Sequence, residues 1–419
     1  MKRLVLGAVL LMALTTLEAR AEPTGSALPG LEPYDALMTT LLEKWNVAGA
    51  GLAVARGNQL LLVRGYGLAS KEHKVAVEPT SLFRLGSLSK TITAVAVLQL
   101  VEAGRLKLDD PALPILGDGG PRADRITDTR VRDITVRHLL QHSGGFDRDR
   151  SGDVVFMPYA AEAARRQTAS LPPDCPTILR DALERKLDFT PGTRFAYSNL
   201  GYCILGRVIE RVTGSPYEAH VRQYVLAPAG VTRMRVGHTL QSADGEVTYY
   251  DYRGAKEVKA MPGLGLTYAP QPYGAFALET MGAYGGWIGS PIDYLRFILA
   301  IDGRRGAALL NAATVAEMNA PMLKESPDAD ESNGNGVYYG LGIRIRPLKN
   351  GGANLFHTGS IPGTSTLAVR TGDGFAWVVM FNGRPQDKNG FRGDVDRGLW
   401  AAKGRVKRWP AGDLFTSNQ

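Results

Sequence analysis

The sequence predicts an α+β fold, in which a β-sheet is assembled from the two ends of the chain around an inserted, mainly helical part. Apolar runs of strand length, separated by turn residues, lie near both ends, and apolar stretches of helical length lie in the middle. With 419 residues, of which 44% are hydrophobic and 21% charged, the chain is typical of a folded protein with two domains.

The amino-terminal part predicts a helix followed by a hairpin. Apolar side chains repeat at helical spacing over residues 37–45. Residues 51–56 and 59–67 are apolar runs separated by the Gly-Asn pair at 57–58, which favours a two-residue β-turn.

The middle of the chain predicts at least three helices. Residues 92–101 are apolar nearly all round, which indicates a buried helix. Thr135 is a suitable N-cap for a short helix, and residues 200–212 predict another. Residues 147–172 and 235–280 are predicted to be largely irregular.

Strands return in the last third of the chain. Apolar and polar residues alternate over 341–346, and apolar runs at 364–371 and 375–381 flank a Gly-Asp-Gly turn. Residues 325–336, rich in Ser, Asp, Asn and Gly, predict a surface loop.

These patterns give a provisional division of the chain. The predicted parts are a signal peptide (1–21), a loose segment (22–32), a discontinuous sheet domain (33–86 and 285–405), a mainly helical domain (87–284) and a tail (406–419).

The first residues predict export. Lys2 and Arg3 precede an apolar run at 4–17 and an Ala-Arg-Ala end at 19–21, the pattern of a secretory signal peptide cleaved after Ala21. A membrane anchor is less suitable, because about 14 helical residues span about 21 Å, short of a hydrocarbon core of about 30 Å. We therefore expect a periplasmic or secreted protein without integral membrane contact.

The two cysteines leave two interpretations open. Cys175 and Cys203 could form a disulfide in an exported protein, or they could be two small buried side chains. The net charge of +8 comes from scattered basic residues, so we expect no nucleic-acid partner.

Metal and cofactor sites are not predicted. His138 and His142 have the spacing of two zinc ligands, but no Glu follows the first histidine and no third ligand is evident. The sequence also lacks a Gly-x-Ser-x-Gly elbow, a phosphate-binding loop and a dinucleotide fingerprint.

A Ser-x-x-Lys motif, Ser87 to Lys90, lies where the buried helix begins. Residues at i and i+3 share a helix face, so the amine can reach the hydroxyl and help to deprotonate it. Burial can lower the pKa of the lysine, and free N–H groups at a helix start can stabilise an oxyanion. The alternative is an N-cap serine with a surface lysine.

A Tyr-x-Asn motif, Tyr197 to Asn199, opens a later helix. A phenol near an ammonium group can shuttle a proton, and the amide can orient Lys90 and bind a substrate carbonyl. A capping segment is the alternative.

The third motif is His357-Thr358-Gly359, followed by Ser360. A glycine on a strand allows a substrate to lie close to the strand. Thr358 can donate a hydrogen bond to the substrate, and the N–H of Ser360 can form an oxyanion hole with that of Ser87.

The order and spacing of these motifs resemble the serine β-lactamase and penicillin-recognising enzyme superfamily, in its branch of class C β-lactamases, DD-peptidases and esterases. The resemblance covers about residues 34–384 and includes the stretches 83–86, 134–146, 195–206 and 339–343. It implies an antiparallel sheet packed by helices, with the site between this sheet and an all-helical domain.

The resemblance also implies roles for the motif residues. Ser87 would form the acyl-enzyme, Lys90 and Tyr197 would share the general-base role, Asn199 would position Lys90 and the substrate, and Thr358 would line the site. No cofactor is implied.

The resemblance leaves the substrate open. Class C β-lactamases typically have Lys at the position of His357, so we expect His357 to pair with a substrate carboxylate only when protonated, and best near pH 6. We expect a DD-peptidase-like peptidase or an esterase that acts on a small acyl ester or a D-amino-acid peptide. The alternatives are a class C-like β-lactamase and a non-catalytic protein that binds peptidoglycan fragments. The oligomeric state is not predicted.

Overall fold

The computed structural model describes residues 22–320, 336–349 and 351–416, together with the backbone of residues 323–324. The predicted signal peptide at 1–21 lies outside the described residues, as does the predicted surface loop at 325–336 except for its last residue.

The amino-terminal part forms strands, one helix on the surface of the sheet and one buried helix. Its elements are β1 (Thr24–Ala27), α1 (Glu32–Trp45), β2 (Gly49–Arg56), β3 (Gln59–Ser70), β4 (Val75–Ala76), β5 (Phe83–Arg84) and α2 (Ser89–Glu102). The predicted helix and hairpin are confirmed. The loose segment predicted at 22–32 is wrong in part, because β1 pairs with β3 as an edge strand and α1 already begins at Glu32.

The middle of the chain contains mostly short helices. Its elements are α3 (Ala112–Leu116), α4 (Val136–Leu140), α5 (Arg148–Ser151), α6 (Tyr159–Gln167), α7 (Cys175–Leu183), α8 (Asn199–Thr213), α9 (Tyr217–Val221), β6 (Arg235–Val236), β7 (Val258–Lys259), β8 (Tyr268–Ala269) and α10 (Gln271–Gly274). Thr135 caps α4 as predicted. The segment 147–172 is less irregular than predicted, because it contains α5 and α6.

The last third completes the sheet. Its elements are β9 (Trp287–Gly289), α11 (Pro291–Ala300), α12 (Ala312–Met318), β10 (Leu323–Lys324), β11 (Tyr338–Tyr339), β12 (Arg344–Pro347), β13 (Ala353–Ile361), β14 (Thr364–Arg370), β15 (Phe375–Phe381) and α13 (Lys388–Arg405). The strand predicted at 341–346 begins only at Arg344. Gly342 has a positive φ of 82°, and a Cβ at this position would lie 2.3 Å from the Ala94 Cβ, so the chain turns there instead of extending.

A ten-stranded antiparallel sheet joins the two ends of the chain. The strand order is β1-β3-β2-β15-β14-β13-β12-β11-β10, with β4 added beside β3. In the central pairing Phe381 lies opposite Ala50 and Val378 lies opposite Ala53. This pairing of β15 with β2 confirms the predicted assembly of the sheet from both chain ends.

Both faces of the sheet are covered. On β2, Ala53 and Ala55 contribute to the core on the α2 side, whereas Leu52 and Val54 pack in a second core with residues of α1 and α13. Two buried faces explain why β2 is apolar almost without alternation.

Two further contacts fix the periphery. Cys175 at the start of α7 and Cys203 in α8 form a disulfide, with their Cα atoms 5.8 Å apart. The predicted tail is anchored up to residue 416, because Phe415 is fully buried and the N–H of Leu414 donates to the Leu60 carbonyl. Among the described residues, no helix is both long enough and apolar enough to cross a membrane.

Candidate active site

Ser87 lies in a short 3₁₀ turn, Gly86–Leu88, that leads directly into α2. Gly86 has a positive φ of 54°, and a Cβ at this position would lie 3.1 Å from the backbone nitrogen of Ser360 on β13. Glycine therefore lets the turn carrying Ser87 pack directly against the strand carrying the third motif.

Lys90 connects the first two motifs. Its Nζ lies 3.1 Å from Ser87 Oγ and donates to Asn199 Oδ1 and to the carbonyl oxygen of Tyr284, both at 2.7 Å. The side chain is fully buried. The alternative of a surface lysine is therefore wrong.

The surroundings of Lys90 favour the neutral amine. Burial holds its pKa well below the ordinary value, and the guanidinium groups of Arg148 and Arg344 lower it further, while Asp153 opposes this shift. A neutral amine has two N–H bonds, which match the two acceptors at 2.7 Å. Its lone pair then faces the Ser87 hydroxyl, the geometry of a base beside a nucleophile.

Tyr197 contacts the same hydroxyl from the other side. Its phenol hydrogen-bonds with Ser87, and burial raises its pKa, although Arg344, this hydrogen bond and Arg148 oppose the shift. The guanidinium carbons of Arg148 and Arg344 lie 4.7 and 5.7 Å from the centre of the Tyr197 ring. The resting phenol is thus protonated, and the nearby cations would stabilise a transient phenolate.

Asn199 is held at the start of α8, where the Ser198 side chain caps the helix by accepting from the N–H of Gly201. While Asn199 Oδ1 accepts from Lys90, Nδ2 donates to Asp153 Oδ2 at 2.6 Å. The hydrogen bond to Asp153 fixes the orientation of the amide, so Oδ1 is held toward the Lys90 amine.

The third motif places Thr358 and Ser360 beside Ser87. A Cβ on Gly359 would lie 2.1 Å from the carbonyl oxygen of Leu85, so β13 approaches the nucleophile segment at backbone distance. Thr358 and Ser360 line the same cleft as Ser87. The backbone N–H groups of Ser87 and Ser360 are therefore close enough in the fold to be candidates for one oxyanion hole.

His357 does not line this cleft, and the expectation that it pairs with a substrate carboxylate is wrong. It is buried on the face of β13 that packs toward α2, whereas Thr358 lies on the other face. Its Nε2 lies 2.8 Å from the Tyr339 hydroxyl and its Nδ1 lies 2.9 Å from the carbonyl oxygen of Thr358. Burial and the charges of Arg344 and Lys90 keep its pKa well below 6.5. His357 is therefore a neutral core residue that supports β13.

Three charged residues of the site were missed by the motif search. Arg344 was noted only as the polar side of a strand, but its Nη1 donates to Thr358 Oγ1 at 3.1 Å. Arg148 and Asp153 lie on or beside α5, in a segment predicted to be irregular. In the sheet Arg344 lies opposite Phe356, which makes it a diagonal neighbour of Thr358, and this pairing cannot be read from local spacing.

The two histidines with zinc-ligand spacing, His138 and His142, make hydrogen bonds within the fold. His138 completes the capping box of α4, and the buried ring of His142 lies 4.2 Å from the Tyr197 ring, with Nδ1 accepting from the Ser198 N–H. The described residues contain no cluster of three or more His, Cys, Asp or Glu side chains suited to a metal ion.

Comparisons with known proteins agree with this geometry. A model of the Beta-lactamase family matches residues 34–398. The D-amino acid amidase of Ochrobactrum anthropi SV3 is 24% identical, with a TM-score of 0.68 over 89% of this chain and 99% of that one. EstCE1, a hydrolase with promiscuous acyltransferase activity, is 20% identical, with a TM-score of 0.69 over 88% and 98%.

A curated relative, Protein flp of Staphylococcus aureus, is 25% identical over 58% of this chain and 45% of its own length. The chain spans between 32% and 45% of the length of the curated relatives it matches. The family match covers most of the chain, and the solved structures show the same fold. The chain therefore belongs to the Beta-lactamase family.

Proposed function

We propose that this protein hydrolyses an amide bond next to a carboxylate, as in a peptide ending in D-Ala-D-Ala, through an acyl-enzyme on Ser87. The proposal depends chiefly on the contact of 3.1 Å between the Lys90 amine and the Ser87 hydroxyl. A non-catalytic binding protein would have no need for a buried, desolvated lysine at this position, because burying an amine costs stability.

The first half of the reaction follows from these contacts. Ser87 Oγ attacks the substrate carbonyl carbon while its proton passes to the lone pair of Lys90. The carbonyl oxygen becomes an oxyanion that the N–H groups of Ser87 and Ser360 stabilise. Tyr197 gives its proton to the leaving nitrogen, the C–N bond breaks, and the proton held by Lys90 passes to the Tyr197 phenolate, which restores both groups. Water then hydrolyses the ester by the same steps in reverse.

The preference for a carboxylate is based on Arg344. Its guanidinium contacts Thr358 Oγ1 and flanks Tyr197, so a permanent cation and a hydroxyl donor meet beside the nucleophile. Arginine binds planar carboxylates strongly and stays charged at any physiological pH. The D-amino acid amidase neighbour supports an amide as the substrate, whereas EstCE1 is named as a hydrolase without a stated bond.

The Arg344→Gln variant tests this function. We expect kcat/KM for an acetylated peptide ending in D-Ala-D-Ala to fall by roughly ten- to hundredfold, the range for one charged hydrogen bond. A neutral p-nitrophenyl ester should lose much less. Lys349→Gln, which removes an exposed cation shortly after β12, is the matched control. Equal losses on both substrates would contradict the carboxylate role, and hydrolysis of the ester alone would favour an esterase.

A β-lactamase is the second candidate, because a β-lactam presents its own carboxylate to the same position. Nitrocefin hydrolysis at a rate similar to that of the peptide would support it. Slow acylation without turnover would instead favour the peptidase.

We further propose that the protein is exported. The sequence of residues 1–21 and the disulfide between Cys175 and Cys203 both support an oxidising compartment outside the cytoplasm. Mass spectrometry of periplasmic protein should give a mature chain beginning at Glu22. A full-length chain with free thiols in the cytoplasm would contradict export.

A further inference from the structure

The cleft that contains Ser87 has a second end with a strong positive charge. The cleft encloses about 730 Å³, and its described lining includes six cationic side chains but two acidic ones. The cationic residues come from five parts of the chain: Arg148, Lys259, Arg344, Arg384, Lys388 and Arg392.

Both acidic groups of the lining lie at the catalytic end. Asp153 accepts from Asn199 and lies 4.0 Å from Arg148, and Asp149 also lies 4.0 Å from Arg148. These two carboxylates therefore offset the charge of Arg148, Asp153 also holds Asn199, and both lie away from the other end of the cleft. The other end, formed by Arg384, Lys388 and Arg392, has no acidic residue in its described lining.

Two of the three distal cations, Arg384 and Lys388, form no close ion pair with a described residue. Arg384 is half-buried after β15, and within the described part of the chain neither Arg384 nor Lys388 forms an ion pair within 4 Å. Burial lowers the pKa of Arg384, with Asp251 as the main opposing charge. Arg392 donates to Asn389 on its own helix. A half-buried guanidinium that faces a cleft, with its neighbouring carboxylate beyond ion-pair distance, is suited to bind an anion from solution.

The distance between the two ends limits the size of the ligand. Ser87 lies on the α2 side of the sheet, whereas α13, which carries Lys388 and Arg392, packs on the other face. The cleft passes the end of β13 at Ile361 and Pro362 between them. Packed layers lie about 10 Å apart, and an extended peptide advances about 3.3 Å per residue. An anion about three residues from the scissile bond would span this distance.

We propose that Arg384, Lys388 and Arg392 form an anion subsite for an acidic group on the acyl side of an extended peptide substrate, about two residues before the residue that acylates Ser87. This inference depends on the proposed function for the identity of the scissile bond, but not for the binding of the acidic group. The substrate is then an acidic peptide with one carboxylate at Arg344 and another at the distal subsite.

Two peptides that differ only in one charge test the subsite. Acetyl-Glu-Gly-D-Ala-D-Ala and its Gln analogue are titrated by calorimetry into the full chain carrying Ser87→Ala, which prevents turnover. We expect the Glu peptide to bind about tenfold more tightly, as one additional ion pair would give. Because screening lengths fall as salt rises, the preference should shrink between 0.05 and 0.5 M salt.

Variants that remove pairs of cations show where the acidic group of the peptide binds. Arg384→Gln with Lys388→Gln should bring the two peptides to equal affinity, and Lys388→Gln with Arg392→Gln, both exposed on α13, should do the same without touching a half-buried residue. Arg405→Gln with Lys407→Gln removes two exposed cations elsewhere and should keep the preference. The subsite would be overturned by equal affinities of the two peptides for the Ser87→Ala protein, or by no binding of the Glu peptide. A preference for the Glu peptide that survives both cleft variants would also overturn it.

Turnover by the unsubstituted enzyme separates the two proposals. Hydrolysis of both peptides without preference, together with equal binding, would reject the subsite and keep the proposed function. A charge-dependent binding preference without hydrolysis would keep the subsite and reject the proposed function.

Discussion

At the scale of single residues, the site depends on the protonation of one buried lysine. Lys90 donates to two acceptors that are fixed by the fold, the Asn199 side chain and the Tyr284 carbonyl. Its third neighbour is the Ser87 hydroxyl. Under the proposed function, the neutral amine is the species that acts, with the Tyr197 phenol as the proton donor.

Lys90 and Tyr197 should behave as one unit in mutagenesis. Lys90→Ala and Tyr197→Phe should each lower kcat/KM by about 10³-fold or more, and the double variant should be little worse, because members of one proton-transfer unit are not additive. Single-turnover acylation of the three variants measures this. Losses that multiply in the double variant would show that the two side chains act independently.

The pH dependence of acylation should report Lys90. The rate should rise with pH through the lowered pKa of Lys90 and fall as acid protonates the amine. Asp153 raises the pKa of Lys90, so Asp153→Asn should move the acidic limb to lower pH. His357→Gln should leave the position of this limb unchanged, because the buried His357 ring is neutral and adds no charge beside Lys90. If the acidic limb shifted in His357→Gln but not in Asp153→Asn, Lys90 would not be the base.

At the scale of elements, backbone contact between β13 and the turn before α2 sets the geometry of the proposed oxyanion hole. Gly359→Ala would place a Cβ 2.1 Å from the Leu85 carbonyl oxygen, so the strand or the turn must move. A displacement of about 1 Å in a catalytic site can cost on the order of a hundredfold in rate. We therefore expect a folded protein with strongly reduced kcat, whereas Gly404→Ala, where a Cβ has open space, should retain activity. Full activity of Gly359→Ala would contradict the assigned contact.

The disulfide joins α7 to α8, the helix that begins with Asn199. It closes a loop with a sequence separation of 28 residues, and such a crosslink contributes roughly 3–4 kcal/mol in the chain-entropy model. Cys175→Ser with Cys203→Ser should therefore lower the urea midpoint. Activity at 25 °C should persist, because Ser198 still caps α8. An unchanged midpoint would show that the crosslink contributes little.

At the scale of the whole molecule, local patterns predicted the elements but not their partners. The hairpin β2–β3, the buried helix α2 and the cap at Thr135 follow from turn chemistry and periodicity. The edge strand β1 has no pattern of its own, since it is short and its pairing with β3 is supplied by tertiary structure.

The catalytic motifs were predictable for the same reason, and their neighbours were not. Ser87 and Lys90 share one helix face, so their contact is local. Arg344 and Asp153 reach the site through strand pairing and loop packing, which no local spacing records. The error at His357 was one of burial, because the ring faces the α2 side of the sheet as Ser87 does but is packed against Tyr339 in the core.

The covalent labelling of Ser87 tests the central claim most directly. The protein is treated with a fluorophosphonate or a labelled penicillin, and the modified peptide is mapped by mass spectrometry. We predict one adduct, on Ser87, that is absent in Ser87→Ala, greatly slowed in Lys90→Ala and retained in Ser89→Ala, whose hydroxyl accepts from the Trp287 N–H at 3.4 Å, away from the Lys90 amine. An adduct on any other residue, or labelling that persists in Ser87→Ala, would contradict the assignment of the nucleophile.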